Sequence, residues 1–128
     1  MTTCISTILI IPCYNEAKRL DIATYRDFLL KNPDFFLLFV NDGSTDKTAT
    51  ALKELEPTNS NFSIIELLKN NGKGEAVRQG VLHCLKTFNF KYIGYCDADL
   101  STPLNEFLIF RNKMIEFLLL KTIKQMFC

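Results

Sequence analysis

The chain has 128 residues, 48% of them hydrophobic and 23% charged, with a formal net charge of +1. This length and balance size it for one globular domain with a modest core. They argue against a polyanion partner, since Lys and Arg are scattered with no long basic run and no stripe interleaved with aromatics, so no nucleic-acid partner is expected.

The N-terminus, Met1 to Thr7, has no basic region leading into a signal-like apolar stretch, and no run approaches the length that spans a bilayer. The five cysteines, Cys4, Cys13, Cys84, Cys96 and Cys128, show no CxxC spacing. Cys13, Cys84 and Cys96 fall within apolar patterns, which predicts reduced core thiols and a cytosolic setting.

Ile5 to Pro12 is an apolar, β-rich run and predicts a strand buried on both faces that stops at Pro12. A polar loop follows, Cys13-Tyr14-Asn15-Glu16, then a helical stripe of Leu20, Tyr25, Phe28 and Leu29 within Ala17 to Leu30. Tyr14 and Glu16 read either as a loop ring and its neighbour or as ligand-facing groups at a strand's carboxyl end. Asn32-Pro33-Asp34 breaks the helix, and Phe35 to Val40 predicts a second buried strand. It runs into Asn41-Asp42-Gly43-Ser44-Thr45-Asp46, where Gly43 permits a tight turn and Ser44, Thr45 or Asp46 can cap a helix over Lys47 to Glu56.

Pro57 to Asn61 reads as a polar linker and Phe62 to Leu68 as a third strand. Lys69-Asn70-Asn71-Gly72-Lys73-Gly74 then leads into a helix over Glu75 to Thr87 with its buried stripe at Ala76, Val77, Val81, Cys84 and Leu85. Two glycines beside a lysine before a helix suit an anion at the helix N-terminus, although the spacing is not that of a P-loop. Lys73 and Arg78 are the cations of interest, and Arg78 can equally pair with Glu75 on the helix surface. His83 lies within that helix, away from the loops.

Tyr92 to Cys96 predicts a short buried fourth strand that delivers Asp97 and Asp99, two carboxylates at i and i+2. Ser101 or Thr102 would cap the next helix, with Pro103 at its first position. An Asp-x-Asp in a turn is often only structural. Where it faces a cleft, its hard oxygens suit Mg²⁺ or Mn²⁺, which keep several waters and share substrate phosphates. Strand, polar loop and helix recur four times, which predicts an α/β fold, Rossmann-like, with a parallel sheet from successive βα units and all four loops on one rim.

Ile11-Pro12-Cys13-Tyr14-Asn15-Glu16, Val40-Asn41-Asp42-Gly43-Ser44-Thr45-Asp46, Asn71-Gly72-Lys73-Gly74 and Asp97-Ala98-Asp99, in this order, resemble the nucleotide-sugar-binding half of a family 2 glycosyltransferase with a GT-A fold. Within it, Tyr95 to Pro103 is most similar to the dolichyl-phosphate glucosyltransferase and mannosyltransferase group. The resemblance spans about Ile8 to Phe107 and rests on the ordered set, each motif being weak alone.

The resemblance implies that Pro12, Tyr14 and Glu16 line the base and ribose pocket, closed by Val40 and Asp42, with Asp42 accepting from the base. Lys73 with Arg78 would meet the diphosphate, and Asp97 and Ala98 the ribose or sugar. Asp99 would be the main ligand of Mg²⁺ or Mn²⁺, joined by Asp97 and by Ser101. Mannosyl-type relatives have a glutamine at the position of Ser101, so the weaker hydroxyl ligand favours a glucosyl-like donor such as UDP-glucose. The implied reaction is an inverting transfer to an acceptor, polyprenyl or dolichyl phosphate among them, at the cytoplasmic membrane face.

The resembling family continues past the Asp-x-Asp with an acceptor half and, in many members, a catalytic carboxylate. The expectation here is therefore a truncated nucleotide-sugar-binding domain over 1–110 and a diverged helical tail over 111–128, with an exposed sheet edge open to self-association. The alternative is a non-catalytic or vestigial nucleotide-sugar-binding domain. A sugar-phosphate nucleotidyltransferase would want glycines in the Cys13-to-Glu16 loop, and a phospho-receiver domain leaves Tyr14 and Gly72-Lys73-Gly74 unexplained.

Overall fold

The structure, a computed structural model, describes residues 4–56 and 60–127. Cys128 and the first part of the predicted linker, 57–59, lie outside the described residues. Four strands form one parallel sheet in the order β3-β2-β1-β4, with β1 at Thr7–Cys13, β2 at Phe35–Asp42, β3 at Phe62–Leu67 and β4 at Tyr92–Tyr95. The helices between them are α1 (Ile22–Lys31), α2 (Thr48–Lys53) and α3 (Lys73–Thr87), and α4 (Leu104–Met126) follows β4.

Strand alternation sorts the core into two layers. Leu9, Ile11, Cys13, Phe35, Leu37 and Phe39 face α1, α2 and the first turns of α4. Ile8, Ile10, Phe36, Leu38 and Val40 face the other way, onto Ala76 and Cys84 of α3. Both faces of β1 and β2 are therefore covered, which is why both read as unbroken apolar runs. With α1 and α2 on one face and α3 on the other, chain order reverses at β1, between β2 and β4. In open α/β sheets that reversal opens a crevice at the carboxyl ends of the strands.

β1 passes through Pro12 to Cys13, one residue beyond the predicted stop. Ile10 accepts the Cys96 N–H from the β4 side, and residue 12, sharing its parity, points the same way. Pairing with β4 has ended by then, at Ile10 opposite Tyr95, so the missing N–H of Pro12 breaks no ladder bond.

α1 starts at Ile22 and not at Ala17. Arg19 and Leu20 close a turn onto the Glu16 carbonyl, and Asp21 then caps the helix by accepting from Thr24 N at 3.1 Å. α2 ends at Lys53, because Glu54, Leu55 and Glu56 tighten into i to i+3 bonds on Ala51, Leu52 and Lys53. β4 is not buried as predicted: it is an edge strand with Ile93 37% and Tyr95 55% exposed.

α4 runs unbroken through Arg111, whose Nη1 donates to Asp34 Oδ2 at 2.6 Å and to Ser6 Oγ at 2.9 Å. Its guanidinium also lies 4.7 Å from the Phe35 ring centroid. Beyond Arg111 the helix leaves Met114, Phe117, Leu118, Leu119 and Leu120 exposed.

Candidate functional site

All four loops at the carboxyl ends of the strands lie on one rim, and polar side chains tie them together. In the loop after β1, Asn15 takes a left-handed conformation, φ 51°, which Asn tolerates better than most residues. Its Oδ1 accepts from Thr45 N at 2.8 Å and its N–H donates to Ser44 Oγ at 3.0 Å. The Glu16 N–H donates to Thr48 Oγ1, and the Ala17 N–H to Asp46 Oδ2. Asp46 also accepts from Thr48 N at 3.0 Å and from the Thr48 hydroxyl. The hydroxyl bond is the main reason its carboxyl is held below the usual carboxylate range. Asp46 is thus a helix-entry residue that also pins the neighbouring loop.

Asp42, the last residue of β2, is buried, and both its oxygens accept backbone N–H groups: Oδ1 from Asn71 and Oδ2 from Gly72, at 2.9 Å each. That fixes the loop after β3 and, through it, the start of α3. Lys73 is the first residue of α3, and its ammonium reaches across to Asp97 as a hydrogen-bonded ion pair, 5.7 Å from the Tyr95 ring centroid. The hydrogen bond is the leading reason why Asp97 is held below the usual carboxylate range and Lys73 above its ordinary value.

Ser101 joins the two acids of the turn. Its N–H donates to Asp99 Oδ1 at 3.0 Å and its hydroxyl to Asp97 Oδ2 at 3.3 Å. It is therefore not the cap of α4: the residue before that helix is Pro103, with no side-chain cap bond. Leu100 N–H closes the turn on the Asp97 carbonyl at 3.1 Å, with Leu100 itself at φ 58°.

Asp97, Asp99, Ser101 and Lys73 are thus brought together. Val40 is buried in the sheet facing α3, with Pro12 beside it in register. Tyr14 is exposed at the loop after β1. Glu16 Oε2 is shielded from solvent and meets Arg19 Nε at 3.1 Å, with no aligned hydrogen bond among the described residues. Arg78 stands apart from the acids, paired with Glu75 at 2.9 Å. Ala98 is buried, and its carbonyl accepts from the Tyr25 hydroxyl at 2.7 Å. Neither Tyr25 nor the lacing by Asn15, Ser44 and Thr48 stands out in the sequence as part of the site, because each partner lies some 30 to 73 positions away.

Asp97 and Asp99 offer hard carboxylate oxygens, and a cation, the Lys73 ammonium, already rests on one of them. That donor set fits a small divalent ion such as Mg²⁺ or Mn²⁺. Among the described residues no third His, Cys, Asp or Glu joins the pair. The rest of such a shell falls to the Ser101 hydroxyl, water and ligand phosphate. A separate concavity of about 920 Å³, lined by Ile93, Tyr95, Phe107, Phe110 and Met114 among others, lies between β4 and α4 and has neither acid in its wall.

A doubly wound parallel sheet, an acidic turn after its fourth strand and a lysine at the facing helix N-terminus define a GT-A-like α/β domain. Residues 8–116, most of the chain, match glycosyl transferase family 2, and the chain belongs to that family. It is 31% identical over 113 residues to a dolichyl-phosphate beta-glucosyltransferase of Trichomonas vaginalis, covering 82% of this chain and 33% of that protein. It is 30% identical over 90 residues to a poly-beta-1,6-N-acetyl-D-glucosamine synthase of Staphylococcus aureus, covering 70% of this chain and 21% of that protein. The crystal structure of S. aureus TarS 1-349 superposes with a TM-score of 0.56 at 23% identity, covering 74% of this chain and 28% of that one, a likeness of fold. The chain spans about a third or less of the length of these relatives. Among the described residues no helix is long and apolar enough to cross a membrane.

Proposed function

We propose that this chain is the donor-binding part of a family 2 glycosyltransferase, taking a nucleoside diphosphate sugar of the UDP-glucose kind together with Mg²⁺ or Mn²⁺. The observation that carries the reading is the meeting of Asp97, Asp99 and Ser101 with Lys73 on the strand-end rim, in a chain whose residues 8–116 match that family.

Cleavage at the anomeric carbon puts positive charge on the sugar ring and negative charge on the departing diphosphate. A divalent ion, when bound, offsets that negative charge. Asp99 and Asp97 would be its protein ligands, with Ser101 a weaker third. With Asp97 engaged by a cation, the Lys73 ammonium would be available to the diphosphate, beside the N–H groups at the start of α3. Asp42 keeps that helix start in place through Asn71 and Gly72. Tyr14 and Glu16, in the loop after β1, line the base and ribose side with Pro12, while Val40, fully buried against α3, backs that wall from within the core. Asp97 and Ala98 lie on the ribose and sugar side, while Arg78 stays paired with Glu75. The likeness to a dolichyl-phosphate glucosyltransferase supports a polyprenyl phosphate as acceptor, met at the cytoplasmic membrane face. Such an acceptor is already an anion, so attack from the opposite face of the sugar inverts the anomeric centre with little need of a general base.

The test is a thermal melt of the chain with UDP-glucose or GDP-mannose, each with Mn²⁺ or with EDTA. A ligand of the folded state at a hundredfold excess over Kd adds about 2.7 kcal/mol of stability. A metal-dependent rise with one nucleotide sugar, absent in Asp99→Ala, is expected. A melt indifferent to every nucleotide sinks the reading. A chain that binds donor but releases no UDP when polyprenyl phosphate is added would be a binding domain without turnover.

A further inference from the structure

We infer that Tyr25 is a positioning residue for the acidic pair, its hydroxyl holding the Ala98 carbonyl and thereby the turn that aims Asp97 and Asp99. The inference rests on the donor-binding reading above and extends it to a core residue of α1.

Within a strand, residues i and i+2 share one face, but past β4 no ladder fixes the backbone between the two acids. The turn needs Leu100 at φ 58°, a conformation that costs a non-glycine residue free energy and persists only where surrounding contacts impose it. Several contacts do so here. Leu100 N–H bonds the Asp97 carbonyl and Ser101 N–H bonds Asp99 Oδ1, both local to the turn. Two come from outside it: the Lys73 ammonium pairs with the Asp97 carboxylate, and on the backbone itself Tyr25 Oη donates to the carbonyl of Ala98, the residue between the acids, at 2.7 Å.

Tyr25 is fully buried in α1, and its ring stands edge-on to Phe39 of β2, 82° between planes and 5.2 Å between centroids. The hydroxyl is therefore placed by the central sheet and not by a mobile side chain. Burial pushes its phenol well above the ordinary value, so the donor keeps its proton throughout the neutral range. A buried carbonyl with a single rigid donor fixes the peptide plane at Ala98, and the peptide plane sets the directions of the carboxylates on either side. This is the role that outer-shell hydrogen bonds play for metal ligands.

The test compares the native chain with Tyr25→Phe, which keeps the ring and removes the hydroxyl, and with Leu52→Ala, a core truncation in α2 that leaves the turn untouched. Two quantities are read at a temperature where all three are folded: affinity for UDP and for GDP with Mn²⁺, and hydrogen exchange at the Leu100 and Ser101 amides. In Tyr25→Phe the Mn²⁺-dependent affinity is expected to fall about tenfold, at the lower end of what outer-shell substitutions cost, with faster exchange at both amides. Leu52→Ala, destabilised elsewhere, is expected to change neither. Should Tyr25→Phe lack a cooperative melt, Phe39→Leu, which removes the ring that Tyr25 leans on, is expected to show the same two losses.

Unchanged affinity and exchange in a native-like Tyr25→Phe overturns the inference while leaving the donor-binding reading intact. A native chain that binds neither nucleotide with Mn²⁺ overturns that reading and the ligand-orienting part of this one. The amide exchange then still decides whether Tyr25 holds the turn.

Discussion

Asp42 shows how much of the rim depends on single polar residues. It is 2% exposed, and its two oxygens hold the Asn71 and Gly72 amides that precede Lys73. Asp42→Asn replaces one acceptor oxygen with an NH₂ donor, so one of the two bonds is lost; the Gly72 N–H also reaches Asn70 Oδ1 at 3.0 Å, so the Asn71 N–H is the more dependent of the two. The expected cost is about 1–3 kcal/mol. It is to be read as a lower denaturant midpoint together with faster exchange at Asn71 and Gly72. Asp42→Ala removes both acceptors and is expected to be worse, which distinguishes this role from that of an ordinary turn aspartate. Lys73 and Asp97 are about half exposed, so their pair adds little to stability. Its importance lies in where it leaves a cation.

At the level of elements, α3 lies against the sheet because Gly80 has no side chain. A Cβ there would stand 2.8 Å from Ile10 Cγ2 and 3.2 Å from Val40 Cγ2. Gly80→Ala would gain about 0.5–1 kcal/mol of helix propensity. Against that stands an overpacking cost of about 1–3 kcal/mol, since Ile10 is fully buried and has no room to move. A net loss of stability is expected in a urea titration, with Lys73 displaced from Asp97. A rise in stability would mean that α3 stands off from β1. Gly43, at φ 65° and with a Cβ position 2.3 Å from the Lys69 carbonyl carbon, tolerates substitution still less. It is where the loops after β2 and β3 touch.

Over the whole molecule, pH enters from two sides. Asp21, Asp46 and Asp97 have folded pKa values below the ordinary 3.8, owing first to Thr24, Thr48 and Lys73 respectively. Their contribution is complete above that value and is lost as pH falls through the lower folded values. All three are solvent-accessible, so the acid loss is small. The alkaline side is steeper. Burial raises Cys84 to about 11 and Cys96 to about 12, and raises Cys13 further, from an ordinary 9.0. Above pH 9.0 the unfolded thiols lose protons that the folded ones keep, so stability falls as pH rises toward the folded values. Urea midpoints measured from pH 6 to pH 11 are expected to be flat and then to drop beyond about pH 9. A drop of the same size in a Cys13→Ala/Cys84→Ala/Cys96→Ala variant would exclude the thiols as its cause.

The sequence by itself determined what depends on neighbours along the chain. Phe35 to Val40 had to be a buried strand, Asp97 and Asp99 had to share a turn, and four strand–loop–helix repeats had to put their loops on one rim, because period and turn chemistry are local properties. The order of Tyr14, Asp42, Lys73 and the Asp-x-Asp was enough to carry the family resemblance. Only the tertiary structure decided which of those residues meet. The order β3-β2-β1-β4 puts the α3 terminus next to the acidic turn, so Lys73 finds Asp97 while Arg78, one turn further along the helix, pairs with Glu75. Ser101 reads as a cap and instead bonds both acids, and Tyr25 reads as one more apolar position and instead holds Ala98. A hydroxyl's partner is set by what the fold brings within 3 Å of it, and no pattern along the chain encodes that distance.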